Sequence, residues 1–477
     1  MKNKLIIILM LGLVLASCTK DFEDFNTDKK NPSTVDGEAL LSNAEKNLAD
    51  QLTTPNVNLN VFNLFSQYWT ETTYTDEANY DIVNRTIADF TFRTYYRDVL
   101  KDLDEASKLI KEETVTPVNT AKAIQNKLRV IDMLQVYTYQ ILVDIFGDVP
   151  YTEALNIENI TPAYDDAATI YADLITRVKT DISGLQTDVE DGTNLGSADF
   201  IYDGDAEQWI KFGNSLLIKL GITIADANES LAKSTIEDAY ADAFASSDDN
   251  ATFPYLSSSP NTNQIYAELV LTGRKDFVAA NTIINKMTEL NDPRLPTYFT
   301  KIDGQYIGGE YGYSSPYSQN SHVAPEIIDP TFPGMFLTYD QQLFYLAEAA
   351  ARGYEVGKTA DKLYADAISA SFDMWGASGA QDYITSSGVA YDAGSWRTLL
   401  GTQSWIAFYT RGLIGWTQWR RLDAPAFNMP PNAQSDAVPT RFTYPVNEQT
   451  LNETNRKKAA EAIGGDELTT KLFWDKY

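Results

Sequence analysis

Cys18 is the one cysteine of a 477-residue chain, and it stands where a thiol can be acylated. Leu15-Ala16-Ser17 precede it, at the end of a segment with Lys2 and Lys4 in front and an apolar run from Leu5 to Leu11 that continues Gly12-Leu13-Val14. A charged start, an apolar stretch too short to span a bilayer and a small-residue pair before the cysteine make a secretory signal that is cleaved at a lipidated residue. Residues 1–17 are then a signal peptide, and Cys18 becomes the acylated first residue. Residues 18–36 read as an extended leash, because Pro32 disfavours helix before it and the Asp, Asn and Thr side chains bond locally. Each buried methylene contributes about 0.8 kcal/mol, so two or three acyl chains make such a tether effectively permanent. No cysteine remains for a disulfide, and stability must come from packing.

The residues for catalysis are sparse. His322, in Asn320-Ser321-His322-Val323, is the single histidine, so there is no H-E-x-x-H zinc site; nor is there a C-x-x-C, a G-x-S-x-G elbow, a Walker loop or a G-x-G-x-x-G. His322 reads as a polar loop residue. Carboxylate pairs occur, such as Glu71 with Asp76 and Glu77, or Asp203 with Asp205, but a glycosidase needs two carboxylates across a sugar ring, which spacing alone does not supply. Asp203-Gly204-Asp205 has the flavour of a calcium loop; Asp205 followed by Gln208 ahead of Trp209 is better read as a capping box. No metal or cofactor is expected. A formal net charge of −28, with no Lys/Arg stripe to offset it, argues against nucleic acid as a partner and favours solubility at a crowded surface.

The aromatic residues are more suggestive. Most of the 28 Tyr, 21 Phe and 8 Trp must be core. Two groups sit among polar residues without helical spacing: Tyr68, Trp69, Tyr74 and Tyr80, and then Tyr306, Tyr311, Tyr313 and Tyr317. A flat ring flanked by Asn, Gln, Asp and Glu can stack on the apolar face of a sugar or a peptide side chain while its neighbours bond the polar groups. Trp69, Tyr74, Tyr80, Tyr311, Tyr313 and Tyr317 are therefore the candidate ligand-binding residues. The competing reading is that these rings pin irregular loops onto the rest of the molecule.

The elements that would hold them are helical. Ser42 to Leu52 and Asn60 to Trp69 read as the first two helices, followed by Phe92 to Glu113 and Asn119 to Phe146. In the last of these, Ile124, Leu128, Ile131, Leu134, Ile141 and Ile145 recur on one face, with Asn119 as a plausible N-cap. A second hairpin pairs Ala167 to Leu185 with Ala206 to Ala225. A third joins the helix after Tyr339 to one carrying Leu363, Tyr364, Ala367, Ile368 and Trp375, through Gly353. Alanines in both arms resemble a tetratricopeptide unit. Ser395 to Arg420 and Asn455 to Ile463 complete the helices. Between about Thr252 and Gly334 the chain turns rich in Tyr, Pro, Gly, Ser and Asn, with only Phe277 to Leu290 helical. The fold class is all-α: tetratricopeptide-like hairpins in a solenoid, with a loop-rich lobe, in one domain over 37–477.

Several stretches together resemble the SusD/RagB-like nutrient-binding outer-membrane lipoproteins of Bacteroidetes. They are Leu15-Ala16-Ser17-Cys18 with Asn26-Thr27-Asp28, Phe65-Ser66-Gln67-Tyr68-Trp69, and Asp144 to Ala154. Trp209 to Leu216, Leu346-Ala347-Glu348-Ala349, Trp416 to Arg421 and Arg441 to Glu448 follow in order. The acidic Asp21, Glu23 and Asp24 after Lys20 resemble the signal that sends such lipoproteins to the outer face of the outer membrane. The resemblance implies a non-enzymatic surface protein that captures an oligosaccharide or peptide and closes over a SusC-like TonB-dependent transporter. Gly147 to Tyr151 and Trp416 to Arg421 are structural in this reading, with Gly147 and Pro150 breaking a helix and Arg420 or Arg421 pairing with carboxylates of the next helix. A surface glycan hydrolase and a protein-binding helical scaffold are the alternatives.

Overall fold

A computed structural model describes residues 35–187 and 194–477. The signal, Cys18 and all but the end of the leash lie outside the described residues. Ten longer helices carry the architecture: α1 (Gly37–Thr53), α2 (Lys101–Lys111), α3 (Ala121–Phe146), α4 (Ala167–Gly184), α5 (Ala206–Thr223), α6 (Glu229–Ala239), α7 (Tyr339–Ala351), α8 (Ala360–Met374), α9 (Trp396–Ala407) and α10 (Gly412–Leu422). Neighbours in sequence pack on one another, α1 on α2, α3 on α4, α5 on α6, α7 on α8 and α9 on α10, while α4 and α7 both pack on α5 and so join successive hairpins. The expected hairpins are present, and a helix that the periodicity did not bring out, α6, is added where the Asn228 side chain accepts from Leu231 N.

The longest helix shows how the chain builds itself. Thr120, not Asn119, is the N-cap of α3, its hydroxyl accepting from Ala123 N, because the Asn119 side chain instead donates to Glu113. The helix stops at Gly147, whose φ of 88° suits a residue without Cβ. Its apolar residues do not line one face only. From Val130 on, nearly every side chain is buried, so α3 is a core helix against which α2, α4 and α5 pack.

Three expectations are corrected by local geometry. The run ending at Trp69 is helical only over Phe62–Phe65; Gln67 has a φ of 52°, and Trp69–Glu71 is strand β1. The stretch from Phe277 splits into strand β2 (Phe277–Ala279) and a helix over Asn281–Glu289, with Trp69 opposite Ala279 and Glu71 opposite Phe277 in an antiparallel pair. The long helix expected from Ser395 breaks between α9 and α10, where Thr410 takes a φ of 66° and the Arg411 guanidinium reaches Asp340 at 2.8 Å and the Ala407 carbonyl at 2.6 Å. The other short pairs are Val149–Pro150 with Tyr164–Asp165 and Ala251–Phe253 with Gly334–Leu337.

One hydrophobic cluster runs through the hairpins and the inner side of the lobe. Charges are buried in it as pairs. Arg421 meets Glu348 of α7 at 2.6 Å, a preceding helix rather than a following one, and Arg420 donates to the carbonyls of Asp144 and Thr440. Asp292 and Arg294, both wholly buried, are bonded to each other, to Ser371 of α8, to Gln403 of α9 and to Tyr383. That cluster fastens the lobe to the helices. No described helix is long and apolar enough to cross a membrane.

Candidate ligand-binding face

The irregular face is built on the strand β1. Its N-terminal end is fixed from the helical side: the Tyr68 hydroxyl donates to the Trp405 carbonyl at 2.6 Å and the Trp69 indole to the Tyr409 hydroxyl at 2.9 Å. After β1 the chain is stitched to residues just before β2, with Thr72 N on the Asp276 carbonyl and Thr72 Oγ1 on that of Lys275. It then turns through Tyr74, whose φ of 53° is left-handed and whose side chain is 85% exposed. A bulky residue held in that region is uncommon and costs conformational energy, which tertiary bonds around it must offset.

A second segment is sewn onto the first. Gly312 N donates to Thr70 Oγ1, the Gly312 carbonyl accepts from Asn79, Ser314 Oγ donates to the Thr72 carbonyl and Ser315 N to that of Glu71. Tyr313, 46% exposed, is thereby carried beside the Tyr74 turn. Tyr317 is half-buried and its ring lies on the His322 imidazole, with centroids 3.6 Å apart and planes 10° from parallel. Lys275 stands over the same Tyr317 ring at 5.1 Å.

The six candidate residues divide evenly. Tyr74, Tyr313 and Tyr317 reach the surface. Trp69, Tyr80 and Tyr311 do not: they are 1%, 0% and 2% exposed, their rings pack inside the core, and no ring face is left for a ligand. Tyr311 donates to the Leu64 carbonyl, and Tyr80 sits 6.4 Å from the Tyr311 ring with burial pushing its phenol up to about 12. Tyr68 is likewise core, whereas Tyr306 is half-buried. Polar residues beside these rings, Asn79 and Ser314 among them, bond backbone groups of the loops instead. His322 lies in the loop, as read from the sequence, with its imidazole packed on the Tyr317 ring.

The face holds one unusual carboxyl pair. Glu71 and Glu77 are 3% and 1% exposed, and Arg85 reaches Glu77 at 3.1 Å. Burial first, and then the Glu77 charge, push the Glu71 carboxyl well up, while Ala78 N donates to it at 2.9 Å. Asp205 caps α5 by accepting from Glu207 N and Gln208 N, as a helix start rather than a calcium loop. Among the described residues no group of three or more His, Cys, Asp and Glu could hold a metal ion.

A family model described as starch-binding and associating with the outer membrane matches residues 29–445. Among solved structures, a chitin-binding SusD homolog from Flavobacterium johnsoniae is 22% identical at a TM-score of 0.78, covering 92% of this chain and 98% of that one. A SusD homolog from Bacteroides thetaiotaomicron is 22% identical at 0.78, over 93% of this chain and all of the other (100%). One from Bacteroides uniformis is 24% identical at 0.78, over 92% and 99%. At these identities the structures speak for the fold. No curated protein matches the chain. With the family model spanning most of the chain and the fold shared with these structures, the chain belongs to the SusD-like family, one described by binding rather than by a reaction.

Proposed function

We propose that this protein is a cell-surface binding protein that captures an oligosaccharide and hands it to a SusC-like TonB-dependent transporter, without itself cleaving it. The observation that carries the proposal is the pair of exposed rings, Tyr74 on a left-handed turn and Tyr313 sewn beside it, on the irregular face of a SusD-like chain. An exposed tyrosine presents an apolar ring and a polar tip, which suits the alternating faces of a sugar. A rigid turn also loses little freedom when a ligand arrives. Acylation of Cys18 would tether the protein to the outer membrane, facing outward, so that it need only swing to meet the barrel.

The family's description as starch-binding and a structural neighbour named for chitin binding support an oligosaccharide as the ligand class. The test is calorimetric titration of the acylated protein in detergent with a panel of oligosaccharides, for the native chain and a Tyr74→Ala/Tyr313→Ala variant. Binding by the native chain, weakened about tenfold in the variant by the loss of about 1.4 kcal/mol of contact, supports the reading. Turnover of a bound glycan, or full affinity in the variant, contradicts it. A pull-down from solubilised outer membrane tests the other half: the barrel should co-purify.

A further inference from the structure

Next to the Tyr74 and Tyr313 rings, the lobe exposes a row of cations and rings that is out of character for so acidic a chain. Lys275 lies over Tyr317; Tyr317 lies on His322, whose Nε2 is 2.6 Å from the Tyr317 carbonyl. The backbone of His322 is bonded in both directions to Thr300, and the next residue, Lys301, holds its ammonium 5.2 Å from the Tyr306 ring. Lys275 is joined to the Tyr74 turn through the Thr72 hydroxyl on its carbonyl at 2.7 Å. The row therefore continues the exposed face rather than forming a separate patch.

Among the described residues, neither lysine faces a carboxylate. Neighbouring cations are neutralised: Arg274 meets Asp276 at 2.5 Å and Lys286 meets Glu289 at 2.7 Å. Lys275 and Lys301 are exposed, and among the described residues neither has an acidic partner within ion-pair distance, although Asp and Glu outnumber Lys and Arg by 66 to 38. Both ammoniums rest on tyrosine rings instead, an arrangement that orients a cation without satisfying its charge. Three N–H donors on each remain free for an anion. Tyr317 is occupied in holding His322 and Lys275, and the ring faces for stacking are left to Tyr74 and Tyr313.

We propose that the captured glycan is anionic, an oligosaccharide carrying carboxylate or sulfate groups that bind at Lys275 and Lys301 while Tyr74 and Tyr313 take an adjacent sugar face. This rests on the glycan-capture reading above and narrows its ligand class. A net charge of −28 would otherwise repel such a ligand, so the unpaired cations must supply local attraction, and binding should weaken with salt.

The experiment is titration of the acylated protein with size-matched probes: a galacturonate oligomer for carboxylate, a sulfated chondroitin oligomer for sulfate, and maltose and chitin oligomers as neutral references. Each is measured at low and high salt, for the native chain and a Lys275→Ala/Lys301→Ala variant, with unfolding temperature as a check that the exposed substitutions leave the fold intact. The expected result is that one acidic probe binds more tightly than the neutral ones and loses affinity with salt. The double variant should lower acidic affinity about tenfold, the equivalent of one neutralised contact pair, and leave neutral affinity unchanged. Neutral probes binding as well as or better than acidic ones, or unchanged acidic affinity in the variant, overturns the proposal while leaving glycan capture intact. If no glycan of either kind binds, the capture reading fails and this one with it.

Discussion

The helical hairpins and the lobe between Thr252 and Gly334 spend their polar side chains differently. In the hairpins the backbone satisfies itself, so side chains are free to bury as partners of one another: Tyr171 of α4 donates to Asp144 of α3 at 2.5 Å, and Arg411 holds Asp340. In the lobe the backbone is irregular, and side chains must do that work. Asn263 donates to the Phe332 carbonyl, Ser321 Oγ accepts from Ile307 N, and Asn320 donates to the Pro316 carbonyl. The difference teaches where to look for a ligand. A polar residue beside a ring in a loop is usually committed to the loop, and only rings on the outer side of such a stitch, Tyr74 and Tyr313, are available.

Where the two regions meet, the largest effect is expected. Arg294→Ala leaves Asp292 buried without its cation and strips Gln403 and Ser371 of a partner; breaking a buried pair in this way costs about 3–5 kcal/mol. Denaturant unfolding should show that loss, and a loss confined to a few tenths would mean the lobe is not fastened there. Next comes Gly415→Ala on α10. An added Cβ would overlap the Tyr68 hydroxyl, which is itself fixed to the Trp405 carbonyl, so overpacking of about 1–3 kcal/mol should appear in the same assay.

A smaller effect separates the lobe side from the hairpins by pH. The folded Glu71 carboxyl holds its proton above the ordinary carboxylate range, chiefly through burial, so the folded state binds more protons than the unfolded one. Its contribution is fully present below the unfolded value and is lost as pH rises through the folded one. Glu71→Gln keeps an oxygen for Ala78 N and has no proton to lose. Unfolding free energy against pH should fall less steeply on the alkaline side in that variant, and an unchanged slope would remove Glu71 from the account. The smallest stability effect belongs to Tyr74→Ala, about 0.5 kcal/mol or less, because the ring touches little. A larger loss in thermal unfolding would recast Tyr74 as a structural residue.

The hairpins were legible because helical periodicity repeats over four or more turns, as from Ile124 to Ile145, and because Gly147 marks a stop. Strand β1 was not: three residues carry no period, and the apolar Phe62 to Trp69 run looked like any buried helix. The break at Arg411 was hidden for another reason, since it depends on Asp340, a partner seventy-one positions earlier in the chain. Half of the candidate site failed similarly. Tyr80 and Tyr311 have the same polar neighbours as Tyr74 and Tyr313, and only tertiary placement separates a ring that faces in from one that faces out.

Hydrogen exchange of the protein, with and without a bound oligosaccharide, tests the central claim most directly, because it reads every segment at once. Slower exchange over residues 72–81 and 309–322, with no change over α3 and α4, is the outcome this reading requires. Protection centred on the helical hairpins, with the Tyr74 and Tyr313 segments unaffected, would place the ligand elsewhere and contradict it.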